Sequence, residues 1–204
     1  MTILSVNKTR EMMGALCAFF VCGRGLRSLF YLGEDGMKGK TRRIAHGALL
    51  AALYVALTYL QEMLLPGSAN WAIQFRASEA LCVLAFFTPA AIPGLTVGCL
   101  LFNVSNAAAL PLDFLVGSMA TLLATAGMYM GRRLTVRGYP LPGMLLPALT
   151  NGLLVGWELT VYVGGSFWLN GLYVAIGEVG VLLTLGSILY GALKLRGLDK
   201  QLFA

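Results

Sequence analysis

The stretch that most constrains this chain is residues 74–106, QFRASEALCVLAFFTPAAIPGLTVGCLLFNVSN. Gln74, Arg76, Ser78 and Glu79 sit at one edge of an apolar run, Pro89 and Pro93 break it, and Asn103, Ser105 and Asn106 close it. A single helix over 76–106 would be about 45 Å long at ~1.5 Å per residue, against a hydrocarbon core of about 30 Å. The two prolines also interrupt a helical hydrogen-bond ladder. The pattern therefore predicts two short helices, about residues 76–88 and 90–105. Polar groups left unsatisfied in lipid cost several kcal/mol, so this broken pair is expected to line a small-molecule site in a membrane protein. The first helix is barely long enough to cross, so protein must shield its ends.

Composition supports the membrane reading. Of 204 residues, 58% are hydrophobic and 12% charged, and the mean hydropathy is +0.77. A soluble domain carries about 25% charged residues. Six spans of about 20 residues use most of the chain and leave no room for a soluble catalytic domain. The net charge of +6 does not point to nucleic acid, because the basic residues flank apolar spans, where the positive-inside rule places them. Two crossings within 74–106 put RRLTVR (132–137) and the tail KLRGLDK on the same side as KGKTRR. Ten of the eleven basic residues after Met37 then lie inside, and Arg76 alone lies outside. The expected fold is an all-α integral membrane six-helix bundle with both termini cytoplasmic. The remaining spans fall at about 44–65, 113–131, 141–163 and 169–195, and the protein is expected to be a multi-pass membrane protein.

Residues 1–36 are unlike the rest. Arg24 and Arg27 interrupt the apolar run 12–32, which makes it a poor span, and no cleavage site makes it a signal peptide. Met37 opens a basic leader into the first span, so 1–36 reads as an over-extended start or as an amphipathic surface helix, and 37–204 as the membrane domain. GEDGMKGKT (33–41) has one residue too many between Gly33 and Gly39-Lys40-Thr41 for a phosphate loop, and no strand precedes it. The four cysteines form no CxxC pattern. Cys82 and Cys99 read as small apolar fillers, and no metal site or cofactor is expected.

On this topology Glu62, Glu79 and Asp113 fall at outer helix ends, Glu158 slightly deeper, and Glu178 about 13 Å into the last span. Asn103 and Asn106 share a face, as do Asn151, Glu158 and Tyr162. Gly171 and Ala175 are expected to leave open space beside Glu178, with Trp157, Trp168 and Tyr173 adding aromatic surface and Trp71 at the interface. Acidic and amide groups thus crowd the outer half. An intramembrane carboxylate marks a functional site, and carboxylates, amides and rings together suit a flat, nitrogen-rich or cationic solute. Plainer readings stand beside this one. Glu79 can pair with Arg76, Asp113 can cap a helix, Glu62 can be a wet helix end, and Asn103 and Asn151 can tie helices together. Glu158 and Glu178 have no basic partner at helical spacing. Ala48, Ala52 and Ala56, widened by Gly47 and Ala51, form a smooth stripe suited to internal packing or to a partner helix.

The block FRASEALCVLAFFTPAAIPGLTVGCLLFN, followed by LDFLVGSMATLLA, resembles the QueT family of queuosine-precursor transporters, over roughly residues 41–195. These are substrate-binding S components of energy-coupling factor (ECF) transporters. The resemblance implies a six-helix bundle that binds its solute from outside, a transmembrane coupling subunit and two ATPase subunits as partners, and docking through small residues on the first helix, here Ala48, Ala52 and Ala56. The implied cargo is a 7-deazaguanine such as preQ1, preQ0 or queuine. Arg76, Glu79, Asn103, Asn106, Asp113, Asn151, Trp157, Glu158, Tyr162, Trp168 and Glu178 are the candidate pocket residues. The rival readings are a solitary facilitator, an S component for another vitamin-like solute, and an intramembrane enzyme. The last is disfavoured, since His46 is the one histidine and no HExxH or GxSxG motif occurs.

Overall fold

The computed structural model describes residues 39–68, 74–107 and 109–195. The 1–36 extension, Cys17, Cys22, Trp71 and both chain ends lie outside these residues. The described residues are helical throughout, apart from turns and one isolated bridge between Val136 and Tyr139. In chain order they form α1 (Gly39–Leu64), a 3₁₀ helix (Ala77–Phe86), α2 (Ala91–Ser105), α3 (Asp113–Met130), a short α4 (Leu141–Met144), α5 (Leu146–Tyr162) and α6 (Phe167–Val181). A π-helical turn (Leu182–Gly186) and α7 (Ser187–Leu195) complete the order.

Four stretches are long and apolar enough to cross a membrane: Lys40–Leu64, Asp113–Met130, Leu141–Tyr162 and Phe167–Leu195. The 3₁₀ helix and α2 are shorter apolar helices. Large apolar side chains cover the outside, in rows such as Leu115, Met119 and Leu123 on α3 and Leu149, Leu153, Trp157 and Val161 on α5. An exposed apolar girdle of this extent would be untenable in water and is what a helix bundle presents to lipid.

The break at Pro89 and Pro93 falls where the sequence placed it, but the first half is a 3₁₀ helix rather than an α-helix. All ten of its residues are buried. It packs against α1, α2, α3, α6, the π turn and α7, so it is the axis of the bundle. A 3₁₀ run this long is uncommon because its hydrogen bonds are poorer, and only surrounding packing can hold it. At ~2.0 Å per residue, ten residues reach about 20 Å, against about 15 Å for an α-helix. Ala77, Ser78, Ala80, Cys82 and Ala85 keep it slender enough for neighbours on every side.

The span expected over 141–163 is interrupted at Leu145. Pro147 lacks an N–H and occupies the first turn of α5, where no donor is needed. α1 and α2 run side by side in the same direction at very close range. A Cβ added at Gly94 would lie 2.6 Å from the Gly47 carbonyl oxygen, and one at Gly98 would lie 2.9 Å from that of Ala51. Gly47 and Ala51 therefore face the bundle and do not widen the alanine stripe. Ala48, Ala52 and Ala56 are exposed on another face of α1. A second correction concerns Gly171. Instead of leaving space beside Glu178, it receives α5, because a Cβ at Gly156 would lie 2.6 Å from its Cα.

Candidate functional site

The start of the 3₁₀ helix brings Arg76 and Glu79 to one end of the bundle. The antiparallel run of α2 into α3 brings Asn103 beside Asp113, and the antiparallel pair α5–α6 brings Asn151 beside Glu178. These six side chains and Glu158 are all buried. The cluster sets one guanidinium against four carboxyl groups, and burying each such ion costs several kcal/mol unless it is paired.

Its internal bonding is uneven. Arg76 Nη2 meets Asp113 Oδ2 at 3.5 Å. Asp113 is the first residue of α3, preceded by the cap position Leu112, so its carboxylate serves Arg76 rather than capping the helix. Asn103 donates through Nδ2 to the Asp113 carbonyl at 2.9 Å. Glu79 accepts from the Tyr54 hydroxyl at 2.5 Å and from the Cys82 thiol at 3.1 Å. Asn151 donates to Glu178 Oε1 at 3.0 Å. Arg76 lies in the electrostatic field of both halves, acting on Glu158 together with Asp113 and on Glu178 together with Glu79.

Several buried acceptors have no hydrogen-bond partner among the described residues: both oxygens of Glu158, Glu178 Oε2, Asp113 Oδ1 and Asn103 Oδ1. Native structures rarely leave such atoms bare, so these call for a partner such as an ordered water, an ion or a bound solute. These five are acceptors, and acceptors suit a ligand rich in N–H groups.

Asn106 is half-buried at the end of α2. The three aromatic candidates stand apart from the cluster: Trp157 is 49% exposed, Tyr162 43% and Trp168 76%. Trp157 belongs to the outward row of α5, one position from the inward Glu158, and Trp168 lies beside a separate apolar groove with Leu149 and Leu172. Glu62 accepts from the Gly67 backbone N–H at 2.7 Å and so holds the turn after α1. Among the described residues no group of three or more His, Cys, Asp or Glu side chains could hold a metal ion.

Tyr54 and Cys82, which hold Glu79, were not among the residues expected at the site. Tyr54 looks like an ordinary member of an apolar run, yet Tyr54, Thr58 and Gln61 stand at i, i+4 and i+7, a polar row on one face of α1. Thr58 bonds Ser78 at 2.8 Å, and Gln61 accepts from the Ala77 backbone N–H at 2.6 Å. This row fastens α1 to the start of the 3₁₀ helix.

The family model described as QueT transporter matches residues 44–195. Over 86 residues the chain is 38% identical to the queuosine precursor transporter QueT of Lactococcus lactis subsp. cremoris (strain MG1363). That match takes in 42% of this chain and 48% of the relative, so it spans about half of that protein's length. No solved structure matches. A family match over most of the chain, and an apolar bundle carrying four stretches fit to cross a membrane, lead to one conclusion: this chain belongs to the QueT transporter family and is a multi-pass membrane protein.

Proposed function

We propose that the chain is the substrate-binding S component of an ECF importer and that its cargo is a queuosine precursor, a 7-deazaguanine. The observation that carries this reading is the buried acidic cluster with its bare acceptors on Glu158, Glu178 and Asp113. A guanine-like edge offers adjacent N–H donors, which carboxylates and amide oxygens accept. The Lactococcus relative is named for the same cargo.

In this reading the 3₁₀ helix and α2 add two crossings to the four longer ones, and both chain ends are cytoplasmic. The basic residues Arg42, Arg43, Arg132, Arg133 and Lys194 belong to the helix ends opposite Arg76, as the positive-inside rule requires if the cluster opens outward. Ala48, Ala52 and Ala56 dock a transmembrane coupling subunit that works with two ATPases. Their exposure supports this, as does a groove of about 430 Å³ beside them, lined by Gly47, Pro89, Pro93 and Val97 among others.

Ligand-induced stabilisation of the purified protein tests the cargo. Across a panel of 7-deazaguanines and vitamins, a deazaguanine should raise the melting temperature and the vitamins should not. No shift with any deazaguanine would overturn the assignment of cargo while leaving the fold intact.

A further inference from the structure

The acidic cluster divides into two halves, with Arg76 between them. In one half Glu178 is oriented by Asn151, which occupies Oε1 and leaves Oε2 bare. A carboxylate held at one oxygen by a planar amide presents a fixed edge, which suits a flat ring carrying N–H donors. The other half is built differently. Glu158 is fully buried, and both its oxygens are bare. Asp113 acts on it electrostatically and keeps Oδ1 bare while Oδ2 faces Arg76. Asn103 lies beside Asp113, its Nδ2 committed to the Asp113 carbonyl and its Oδ1 bare.

That second half holds two carboxyl groups and an amide oxygen from three helices, α2, α3 and α5, with one guanidinium to balance them. Its bare atoms are acceptors only. A ring edge that also contains acceptors would have only the Arg76 guanidinium to turn to, and its Nη2 already faces Asp113. A primary ammonium has three donors, no acceptor and a full positive charge, and so answers both the hydrogen bonding and the charge.

We propose that Glu158, with Asp113 and Asn103, forms a subsite for a primary ammonium group on the cargo, separate from the Asn151–Glu178 pair that reads the flat ring edge. This rests on the deazaguanine reading above and goes further: among such compounds the protein selects those bearing an aminomethyl arm over neutral analogues with the same ring. Glu79 is not assigned to this subsite, because each of its oxygens already accepts a hydrogen bond, one from Tyr54 and one from Cys82.

The test compares three ligands on the purified full chain by calorimetry: 7-aminomethyl-, 7-cyano- and 7-methyl-7-deazaguanine. Wild-type protein should bind the amine about tenfold more tightly, or better, than either neutral compound, the scale of one charge-assisted hydrogen bond. Glu158→Gln should bring the three affinities together by weakening the amine alone, whereas Glu178→Gln should weaken all three in parallel. A preference for the amine that survives Glu158→Gln overturns the subsite and leaves the cargo reading standing. Equal affinities in the wild type overturn it as well, and that measurement needs no variant to fold. Failure of the wild type to bind any of the three overturns the cargo reading itself.

Discussion

A tyrosine in an apolar helix becomes informative once its hydroxyl is buried, because that hydroxyl must find a partner. Tyr54 finds Glu79, and the two side chains are among the largest fully buried ones in the protein. Tyr54→Phe keeps the ring and its packing but strips Glu79 Oε1 of its donor. Leaving a buried acceptor bare costs about 1–3 kcal/mol. The melting temperature of the purified, ligand-free variant should therefore fall, and a value equal to the parent's would remove Tyr54 from the network that positions Glu79. Glu158 is the opposite case, with no protein partner at either oxygen, so Glu158→Gln should stabilise the purified protein or leave its melting temperature unchanged while altering what binds. The polar row on α1 that includes Tyr54 could have been read from its spacing. The orientation of Trp157 could not, since one residue's shift along α5 separates the lipid-facing row from the interior.

At the scale of the helix, α1 carries two smooth faces, one turned inward and one exposed. One packs: Gly47 and Ala51 let α2 approach until a Cβ at Gly98 would lie 2.8 Å from that of Tyr54. Gly98→Leu should cost about 1–3 kcal/mol or more through overpacking, read as a lower melting temperature and reduced yield from the membrane. The other face is the exposed row Ala48, Ala52 and Ala56. Ala48→Leu together with Ala52→Leu should leave stability within about 0.5 kcal/mol, as surface substitutions do, and should leave ligand binding intact. Uptake by cells expressing the full transporter should be lost. Unchanged uptake would mean that this row docks nothing. Small residues every four positions announced close packing, but which stripe turned inward depended on where Gly94 and Gly98 lie on the neighbouring helix.

For the whole molecule, the bundle alternates direction from one long segment to the next, with the acidic cluster towards one end and the basic helix ends at the other. The turn Gly164–Gly165 has both residues at φ +89, and the turn near Gly138 at φ +80 follows Arg137 at φ 52; both are tight reversals at opposite ends of α5 and its approach. Ser166 and Thr135 are exposed beside these turns. In intact cells a membrane-impermeant maleimide should label Ser166→Cys, and it should label Thr135→Cys only after the membrane is opened. Labelling of both from outside would exclude the six-crossing arrangement with cytoplasmic ends.

The sequence by itself determined that this chain lies in a membrane and that the stretch 74–106 breaks at its prolines. Those outcomes follow from hydropathy and proline chemistry, both local or additive along the chain. Only the tertiary structure decided that residues 77–86 stretch into a 3₁₀ helix, since six neighbouring elements must hold a geometry that the segment's own propensity would not choose. Only it decided that Asp113 serves Arg76, that Glu79 is satisfied by Tyr54 and Cys82, and that Glu158 is not. Those partners stand on helices far apart in the chain, and no spacing rule within one helix can report which side chains meet when separate helices pack.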